Sequence, residues 1–270
     1  MVNKKSRFNR ICKNIKSINI QGATNVAKAA LNAYELFPNY HSKQKLLFLR
    51  PTEPLLSHVI ALADKLPKNQ ILNHFKETQN KINDHVFKLI KNNSVIFTHC
   101  HSTNVVNALI YCKKQSKIFE VYNTETRPLY QGRKTAKELK KAGIKVTMFV
   151  DSAASIALSK EQNTKKPDLV LFGADALLKK GVVNKVGSEM FAQIARINKI
   201  PVYILADSWK YANKSVGLEQ RDFHEVWPTK KIHIKNPAFE FIKKSLITGI
   251  ITEYGLMSYN RFLEEIKKNN

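Results

Sequence analysis

The stretch Ser94-Val95-Ile96-Phe97-Thr98-His99-Cys100-His101-Ser102 decides the fold of this chain. Its apolar run predicts a short buried strand, which ends in a cluster of small polar and reactive side chains. Apolar residues then resume at helical spacing from Val105 onward. Cys100 therefore lies between the carboxyl end of a strand and the amino end of a helix, where free N–H groups favour anions and lower the pKa of a thiol. On this stretch alone, a reactive thiol and a buried, inert cysteine are equally good interpretations.

Short apolar runs alternate with helical segments in the chain that follows. The predicted strands cover residues 95–97, 118–122, 145–150, 169–172, 202–205 and 247–252. The predicted helices between them cover residues 103–115, 133–142, 152–159 and 187–198. This alternation predicts an α/β fold with a Rossmann-like, doubly wound, mainly parallel sheet and right-handed crossovers.

The chain before residue 93 has a different pattern of apolar residues. Ile11, Ile15 and Ile18 begin a series of apolar positions at helical spacing that continues to about residue 92. Two short stretches interrupt it, Gln21-Gly22-Ala23 and Arg50-Pro51-Thr52. We therefore expect an N-terminal helical domain of residues 1–92, followed by a Rossmann-like catalytic domain of residues 93–270.

Composition narrows the class of protein. No apolar run in the 270 residues approaches a membrane span of ~20 residues, and the basic start is not followed by the apolar core of a signal peptide. These features favour a cytoplasmic protein without a membrane partner. The formal charge of +24 comes from lysines spread along the whole chain among many Asn and Ile residues. That pattern is typical of compositional bias, so we expect an anionic, phosphorylated substrate in preference to nucleic acid.

Polar groups collect where the predicted parallel strands end, which is the edge at which such sheets bind ligands. Cys12, Cys100 and Cys112 have no metal-ligand spacing, so we expect free thiols and no metal. The polar residues that follow the first five strands are Thr98, Cys100, Ser102, Thr124, Glu125, Arg127, Gln131, Asp151, Ser152, Asp175, Asp207 and Ser208.

Several of these residues have a structural interpretation as well as a functional one. Asp151 and Ser152 suit the N-cap of the next helix. Glu125 and Arg127 could form a local ion pair or bind substrate. His99 and His101 flank Cys100, but adjacent side chains point apart on an extended chain, so neither need touch the thiol. His101 is the better candidate for a supporting contact.

Asp175 follows Gly173-Ala174, where little side-chain bulk allows a ligand to approach closely. A thiol and a carboxylate on neighbouring strand ends could act as an acid–base pair for proton transfer at a sugar carbon. Spacing along the chain does not show whether Cys100 and Asp175 face each other.

Five motifs occur in an order that resembles a known superfamily: Thr98-His99-Cys100-His101-Ser102, Thr124-Glu125-Thr126-Arg127-Pro128 with Gln131-Gly132, Val150-Asp151-Ser152-Ala153, Gly173-Ala174-Asp175-Ala176 and Asn184-Lys185-Val186-Gly187. The superfamily contains ribose-1,5-bisphosphate isomerase, methylthioribose-1-phosphate isomerase and the alpha, beta and delta subunits of translation initiation factor 2B. Late segments also look like the archaeal sugar isomerase: Glu219-Gln220-Arg221-Asp222 and Asn236-Pro237-Ala238-Phe239.

The resemblance implies an activity. The two enzyme families keep a cysteine and an aspartate that match Cys100 and Asp175. The form Thr-His-Cys-His-Ser favours a resemblance to the ribose-1,5-bisphosphate isomerases. It implies an aldose–ketose isomerase that converts ribose 1,5-bisphosphate to ribulose 1,5-bisphosphate in AMP salvage, without a metal or redox cofactor. A homo-oligomer, dimer or hexamer, is also implied, and activation by a nucleotide is left open. The expected substrate-binding residues are Gln21, Gly22, Ala23, Arg50, Ser102, Glu125, Arg127, Gln131, Asn184 and Lys185.

One departure from the family pattern concerns phosphate binding. The family's enzymes have Arg-Gly-Ala where this chain has Gln21-Gly22-Ala23, so a charge-assisted bond worth ~1.5–3 kcal/mol is lost unless a residue such as Lys28 compensates. This favours an alternative, a non-catalytic regulatory subunit of the initiation factor 2B type that binds a nucleotide or sugar phosphate. Methylthioribose-1-phosphate isomerase is the other alternative.

Overall fold

The chain begins with a group of helices that pack on one another. A computed structural model describes residues 3–51 and 53–269. Pro54 occupies the first turn of the fourth helix, where its missing N–H removes no hydrogen bond. The helices of this part are α1 (Lys4–Lys16), α2 (Ala23–Tyr34), α3 (Tyr40–Leu47), α4 (Pro54–Leu62) and α5 (Lys68–Leu89).

The rest of the chain alternates strands and helices as predicted. Its helices are α6 (Thr103–Lys114), α7 (Gln131–Lys141), α8 (Ala154–Ala157), α9 (Ser188–Ile197) and α10 (Tyr259–Asn269). Its strands are β1 (Ser94–Thr98), β2 (Phe119–Thr124), β3 (Lys145–Phe149), β4 (Leu169–Phe172), β5 (Ala176–Leu178), β6 (Gly181–Lys185), β7 (Val202–Leu205), β8 (Tyr211–Ala212), β9 (Phe239–Lys243), β10 (Gly249–Thr252) and β11 (Gly255–Met257).

Seven of these strands form the central sheet, in the order β11-β10-β7-β4-β1-β2-β3. Every pair is parallel except β10 with β11. The chain builds the sheet outward from β1, first to β2 and β3 on one side and then to β4, β7 and β10 on the other. The predicted α/β class with a doubly wound, mainly parallel sheet is confirmed.

Helices cover both faces of this sheet, so the central strand β1 is buried throughout. Val95 and Phe97 belong to the core formed with α8, α9 and α10. Ile96 points the opposite way, into the core formed with α5, α6 and α7. The ring of Phe97 lies 5.0 Å from that of Phe191 and 6.4 Å from that of Phe172, measured between centroids. The unbroken apolar run of β1 is thus a consequence of burial on both sides.

A second, four-stranded sheet in the order β8-β5-β6-β9 was not predicted from the sequence. Its hairpin strands β5 and β6 are only three and five residues long, and they follow Asp175 directly. The hairpin turn needs Gly181, which has φ +153° and whose added Cβ would lie 2.1 Å from the carbonyl oxygen of Ile242. These short strands have only a weak pattern of their own. β5 pairs with β8 and β6 with β9, both of which lie far along the chain.

Asp151 and Ser152 do not cap the next helix, which corrects the N-cap prediction. The predicted helix of residues 152–159 is a 3₁₀ turn at Asp151–Ala153 followed by the short α8, and neither has a side-chain cap. The Asp151 carboxylate instead accepts backbone N–H bonds from Thr126 at 2.9 Å and Arg127 at 2.6 Å. It therefore fixes the loop that follows β2.

The boundary at residue 93 stays a prediction. Ile82 and Val86 of α5 share a hydrophobic core with Val105 and Leu109 of α6, so the last N-terminal helix is also a layer of the sheet domain. Among residues 3–51 and 53–269, no helix combines the length and the apolar character that crossing a bilayer would require.

Candidate active site

A cavity opens where β1 and β4, neighbours at the centre of the sheet, reach their carboxyl ends. This is the point at which the order of strands reverses, and open α/β sheets bind their ligands there. Gly173 lets the two chain segments approach, because a Cβ at this position would lie 2.4 Å from Ser102 Oγ. The lining includes Gln21, Gly22, Ala23, Arg50, Glu53, Cys100, Ser102, Gln131, Asp175, Asn184, Lys185, Lys210, Glu219 and Arg221.

Cys100 is held in an uncommon backbone conformation, with φ +67° in the left-handed region. Two hydrogen bonds secure it: its N–H donates to Thr126 Oγ1 at 3.0 Å, and its carbonyl accepts from Thr135 Oγ1 at 2.8 Å. Ser102, two residues later, accepts from the N–H of Val105 and caps α6. The strained turn directs the chain from β1 into α6 with the thiol on the cavity wall.

The surroundings of the thiol disfavour its ionisation, although the amino end of a helix was expected to lower its pKa. Burial raises the pKa of Cys100 to about 12, and the Asp175 and Asp151 carboxylates add to this rise. The charge of Lys185 and the N–H of His101 act in the opposite direction but do not offset burial. The amino end of α6 therefore does not produce a low-pKa thiol in this cavity.

Asp175 lies on the cavity wall between β4 and β5, with its N–H bonded to the carbonyl of Val183 at 2.9 Å. Burial raises the pKa of its carboxyl group, against the opposing charges of Lys210, Arg50 and Lys185. The protonated form is thus favoured relative to an exposed aspartate, which suits a group that donates a proton. Cys100 and Asp175 line the same cavity, which an acid–base pair requires.

Neither histidine beside Cys100 is arranged as a base for the thiol. Burial lowers the pKa of both His99 and His101 to about 4, so both are neutral. His99 Nε2–H donates to the Val186 carbonyl at 2.9 Å. His101 Nδ1–H donates to Thr135 Oγ1 at 3.0 Å, and Thr135 in turn bonds the Cys100 carbonyl. His101 thus supports the backbone of Cys100 and not its sulfur.

The amino ends of several helices contribute to the cavity wall. Ala23 begins α2, Thr103 begins α6 and Gln131 begins α7, and all three line the cavity. Gly22 provides the positive φ, +84°, with which the chain enters α2. Free N–H groups and positive dipole ends at these positions favour an anionic ligand.

Four charged side chains of the lining were not recognised as site residues from the sequence. Lys210 is 4% exposed, and its Nζ donates to the Ala174 carbonyl at 2.7 Å. Glu53 is 2% exposed and pairs with Arg50 at 2.7 Å. Glu219 and Arg221 also line the cavity. The motif containing Glu219 and Arg221 was the available signal, and Lys210 lies two residues beyond the polar strand end Asp207-Ser208.

Three residues considered for ligand binding do not line the cavity. Glu125 pairs with Arg133 at 2.8 Å, and the Arg127 guanidinium donates to the Tyr130 hydroxyl. Each therefore has a local partner, but the two do not form the ion pair with each other that the sequence suggested. Lys28 lies over the Phe75 ring, 5.1 Å from its centroid, and does not replace the missing arginine at Gln21. Gln21 itself does line the cavity. Thr52 of the Arg50-Pro51-Thr52 stretch is outside the described residues.

Within residues 3–51 and 53–269, one group of side chains away from the cavity has donor atoms close enough to hold a metal ion: His74, Asp207 and Glu253. These groups already have hydrogen-bond partners. His74 Nε2 bonds Asp207 at 3.1 Å, and Glu253 accepts from the N–H of Ser208 at 3.1 Å. The Trp209 ring also stacks on His74 at 3.4 Å. The group ties α5 to the end of β7.

The comparisons with known proteins agree with this architecture. The sequence profile of the initiation factor 2 subunit family matches residues 9–259. Ribose 1,5-bisphosphate isomerase of Methanocaldococcus jannaschii is 31% identical over 90% of this chain and 89% of its own length. The protein of the same name from Archaeoglobus fulgidus is 29% identical over 89% and 86%. The solved Pyrococcus horikoshii translation initiation factor eIF-2B superposes with a TM-score of 0.83 at 26% identity, covering 94% of this chain and 98% of its own.

The raised pKa of Cys100 predicts how the thiol reacts. Since only the thiolate is alkylated, the rate of modification by iodoacetamide should rise about tenfold per pH unit from pH 7 to 9, with no plateau in that range. Mass spectrometry of the Cys100 peptide gives the rate, with the buried Cys12 as an internal reference. A rate that levels off near pH 7 would show an activated thiolate and contradict the effect of burial.

Proposed function

The chain belongs to the initiation factor 2 subunit family, and we propose that within it the protein is an aldose–ketose isomerase that converts ribose 1,5-bisphosphate to ribulose 1,5-bisphosphate. The observation that carries the proposal is the presence of a thiol and a buried carboxyl group, Cys100 and Asp175, on the wall of one cavity that also carries cationic side chains. Two relatives that match 89% and 90% of the chain bear the name of this activity. The strand order supports it too, since the pair follows the two adjacent strands β1 and β4.

In the proposed reaction, protonated Asp175 donates its proton to the ring oxygen as the bond between that oxygen and C1 breaks. Cys100, as thiolate, removes the proton from C2, and a C1–C2 double bond forms. The thiol then returns a proton to C1 while the C2 hydroxyl gives its proton back to Asp175, which leaves the ketone at C2. Protons and electrons balance within the substrate, because one carbon is reduced and its neighbour oxidised.

We assign substrate binding to groups that converge on the cavity from both parts of the chain. Arg50, Lys185 and Lys210 would hold phosphate oxygens, assisted by the amino ends of α2, α6 and α7. Gln131 and Asn184 would bind sugar hydroxyl groups. The charge of Lys185 also favours the thiolate of Cys100, so the same side chain serves binding and proton transfer.

A regulatory, non-catalytic role is the second candidate, and Gln21 is the observation that favours it. A neutral amide lines the cavity where the family's enzymes place a guanidinium. Binding of AMP or a sugar phosphate without turnover, together with co-purification with initiation factor 2, would support this role.

We also propose a homo-oligomer, as the resemblance implies. Light scattering of the purified protein should give at least twice the chain mass of 30.9 kDa. A mass equal to that of one chain would remove this part of the proposal.

The isomerase proposal predicts a specific response to mutation. Cys100→Ser and Asp175→Asn should each lower kcat by a factor of about 10²–10⁴, the usual contribution of a positioned acid or base, while circular dichroism stays unchanged. Conversion of ribose 1,5-bisphosphate would be followed by chromatography of the ketose product, with methylthioribose 1-phosphate as the comparison substrate. Cys112→Ala, a buried cysteine outside the cavity lining, is the matched control and should keep its activity. Failure of the wild-type protein to convert ribose 1,5-bisphosphate would refute the proposal.

The amide at Gln21 predicts that restoring a guanidinium improves binding. Gln21→Arg should lower KM by about 10–100-fold with a smaller change in kcat, because it regains a charge-assisted hydrogen bond of ~1.5–3 kcal/mol. Gln70→Arg adds the same charge on an exposed part of α5 and should leave KM nearly unchanged. An equal effect of both substitutions would indicate long-range charge instead of a direct contact.

A further inference from the structure

Glu53 occupies an unusual position for an acidic residue. It is the N-cap residue of α4, yet its side chain makes no capping hydrogen bond. The carboxylate turns into the cavity, where one oxygen pairs with the Arg50 guanidinium at 2.7 Å. Its other oxygen, Oε2, is buried and has no hydrogen-bond partner among the described residues. A buried carboxylate oxygen without a partner is costly, so the position calls for an explanation beyond folding.

Arg50, the partner of Glu53, is itself incompletely satisfied. Its Nε is buried without a hydrogen-bond partner in the described part of the chain, and Gln131 Oε1 on the same cavity wall is in the same condition. A second carboxylate, that of Glu219, lies 3.4 Å from the guanidinium. The arginine assigned to phosphate binding is therefore already in contact with two internal anions.

Phosphate and Glu53 need the same donors. A guanidinium binds a phosphate through two parallel N–H bonds, and the Nη2 group that such a bond would use is held by Glu53. A phosphate dianion at Arg50 would also lie beside the charge of Glu53, and like charges in a buried site repel strongly. The phosphate must displace the carboxylate, or the carboxylate must be neutral.

We propose that Glu53 sets the affinity of the cavity for phosphate by competing for Arg50, so that phosphate binding is accompanied by the uptake of one proton at Glu53. The inference rests on the proposed function only in taking a sugar phosphate as the ligand. Glu53 is on this view a positioning residue: it acts through Arg50 and takes no part in bond breaking.

The charges around Glu53 support proton uptake near neutral pH. Burial raises the pKa of its carboxyl group to about 7, opposed by Arg50 on its own segment and by Lys210 after β7. Asp175, which follows β4, and Glu219, which lies between β8 and β9, raise the pKa further. Below pH 7 Glu53 is already protonated, and above pH 7 a proton must be bound together with the phosphate. Phosphate affinity should therefore fall as pH rises above 7, approaching tenfold per unit.

The test measures binding of ribose 1,5-bisphosphate to the Cys100→Ser protein, which prevents turnover, and of inorganic phosphate to the wild-type protein. Calorimetry at pH 8 in buffers of different ionisation enthalpy gives the number of protons taken up, and we expect about one. Kd should rise about tenfold or more between pH 7 and 8.5. With Glu53→Gln added, Kd at pH 8.5 should fall about tenfold or more, and the dependence on pH should shrink to less than about twofold.

Glu120→Gln is the matched control, since Glu120 is also buried and ion-paired, to Lys145 and Lys165, but does not line the cavity. This variant should keep the wild-type dependence of Kd on pH. Three results would each overturn the inference. They are the absence of proton uptake by the protein with Glu53 intact, an unchanged dependence of Kd on pH in Glu53→Gln, and the absence of binding of either ligand. If Glu53→Gln does not fold, the proton count alone decides. If the protein turns over its substrate but the pH dependence of Kd does not depend on Glu53, this inference alone is removed. If Kd shows the Glu53-dependent change with pH but the protein has no turnover, only the proposed function is removed.

Discussion

The parallel pairing of β1 with β4 at the centre of the sheet is the constraint on which the site depends. Ile96 pairs with Leu169 and Phe97 with Val170, and Thr98 Oγ1 adds a bond to the Leu171 carbonyl at 2.8 Å. This register brings the residues after the two strands to one edge, although Cys100 and Asp175 are far apart in sequence. Both strands pack against a hydrophobic core on each face. A one-residue slip in register would turn every side chain into the opposite core and disrupt the packing there, so it is strongly disfavoured.

Burial governs the chemistry of this edge more than the formal charges do. Residues of the N-terminal part of the chain contribute to the cavity wall, and burial raises the pKa of Cys100 and of Asp175 and lowers that of His99. A raised pKa suits an acid that must carry a proton, so Asp175 gains from burial. The same burial makes Cys100 a weaker source of thiolate, and Lys185 is the charged side chain of the wall that opposes this effect. One environment therefore imposes opposite consequences on the two members of the pair.

Much of the fold was predictable because its signal is local. β1 and β4 are apolar runs, and the helices between strands show their period within a dozen residues. The second sheet was missed because β5 and β6 are too short to carry a pattern, and they are held by pairing with β8 and β9, which lie far along the chain. Within the site, Cys100 and Asp175 stand in recognisable motifs. Lys210, Glu53 and the direction of the thiol's pKa depend on which distant segments enclose the cavity, and that information is not local.

The large positive charge of the chain is a poor guide to the charge of its site. The cavity wall carries Arg50, Lys185, Lys210 and Arg221, but also Glu53, Asp175 and Glu219. Arg221 is paired with Glu225 and Glu219, and Arg50 with Glu53 and Glu219. These internal anions lower the cost of burying so many cations, since an unpaired buried charge is strongly destabilising. The anions beside Arg50 must be displaced or neutralised before a phosphate can bind. The pairing that stabilises the empty cavity therefore lowers the affinity of Arg50 for the ligand.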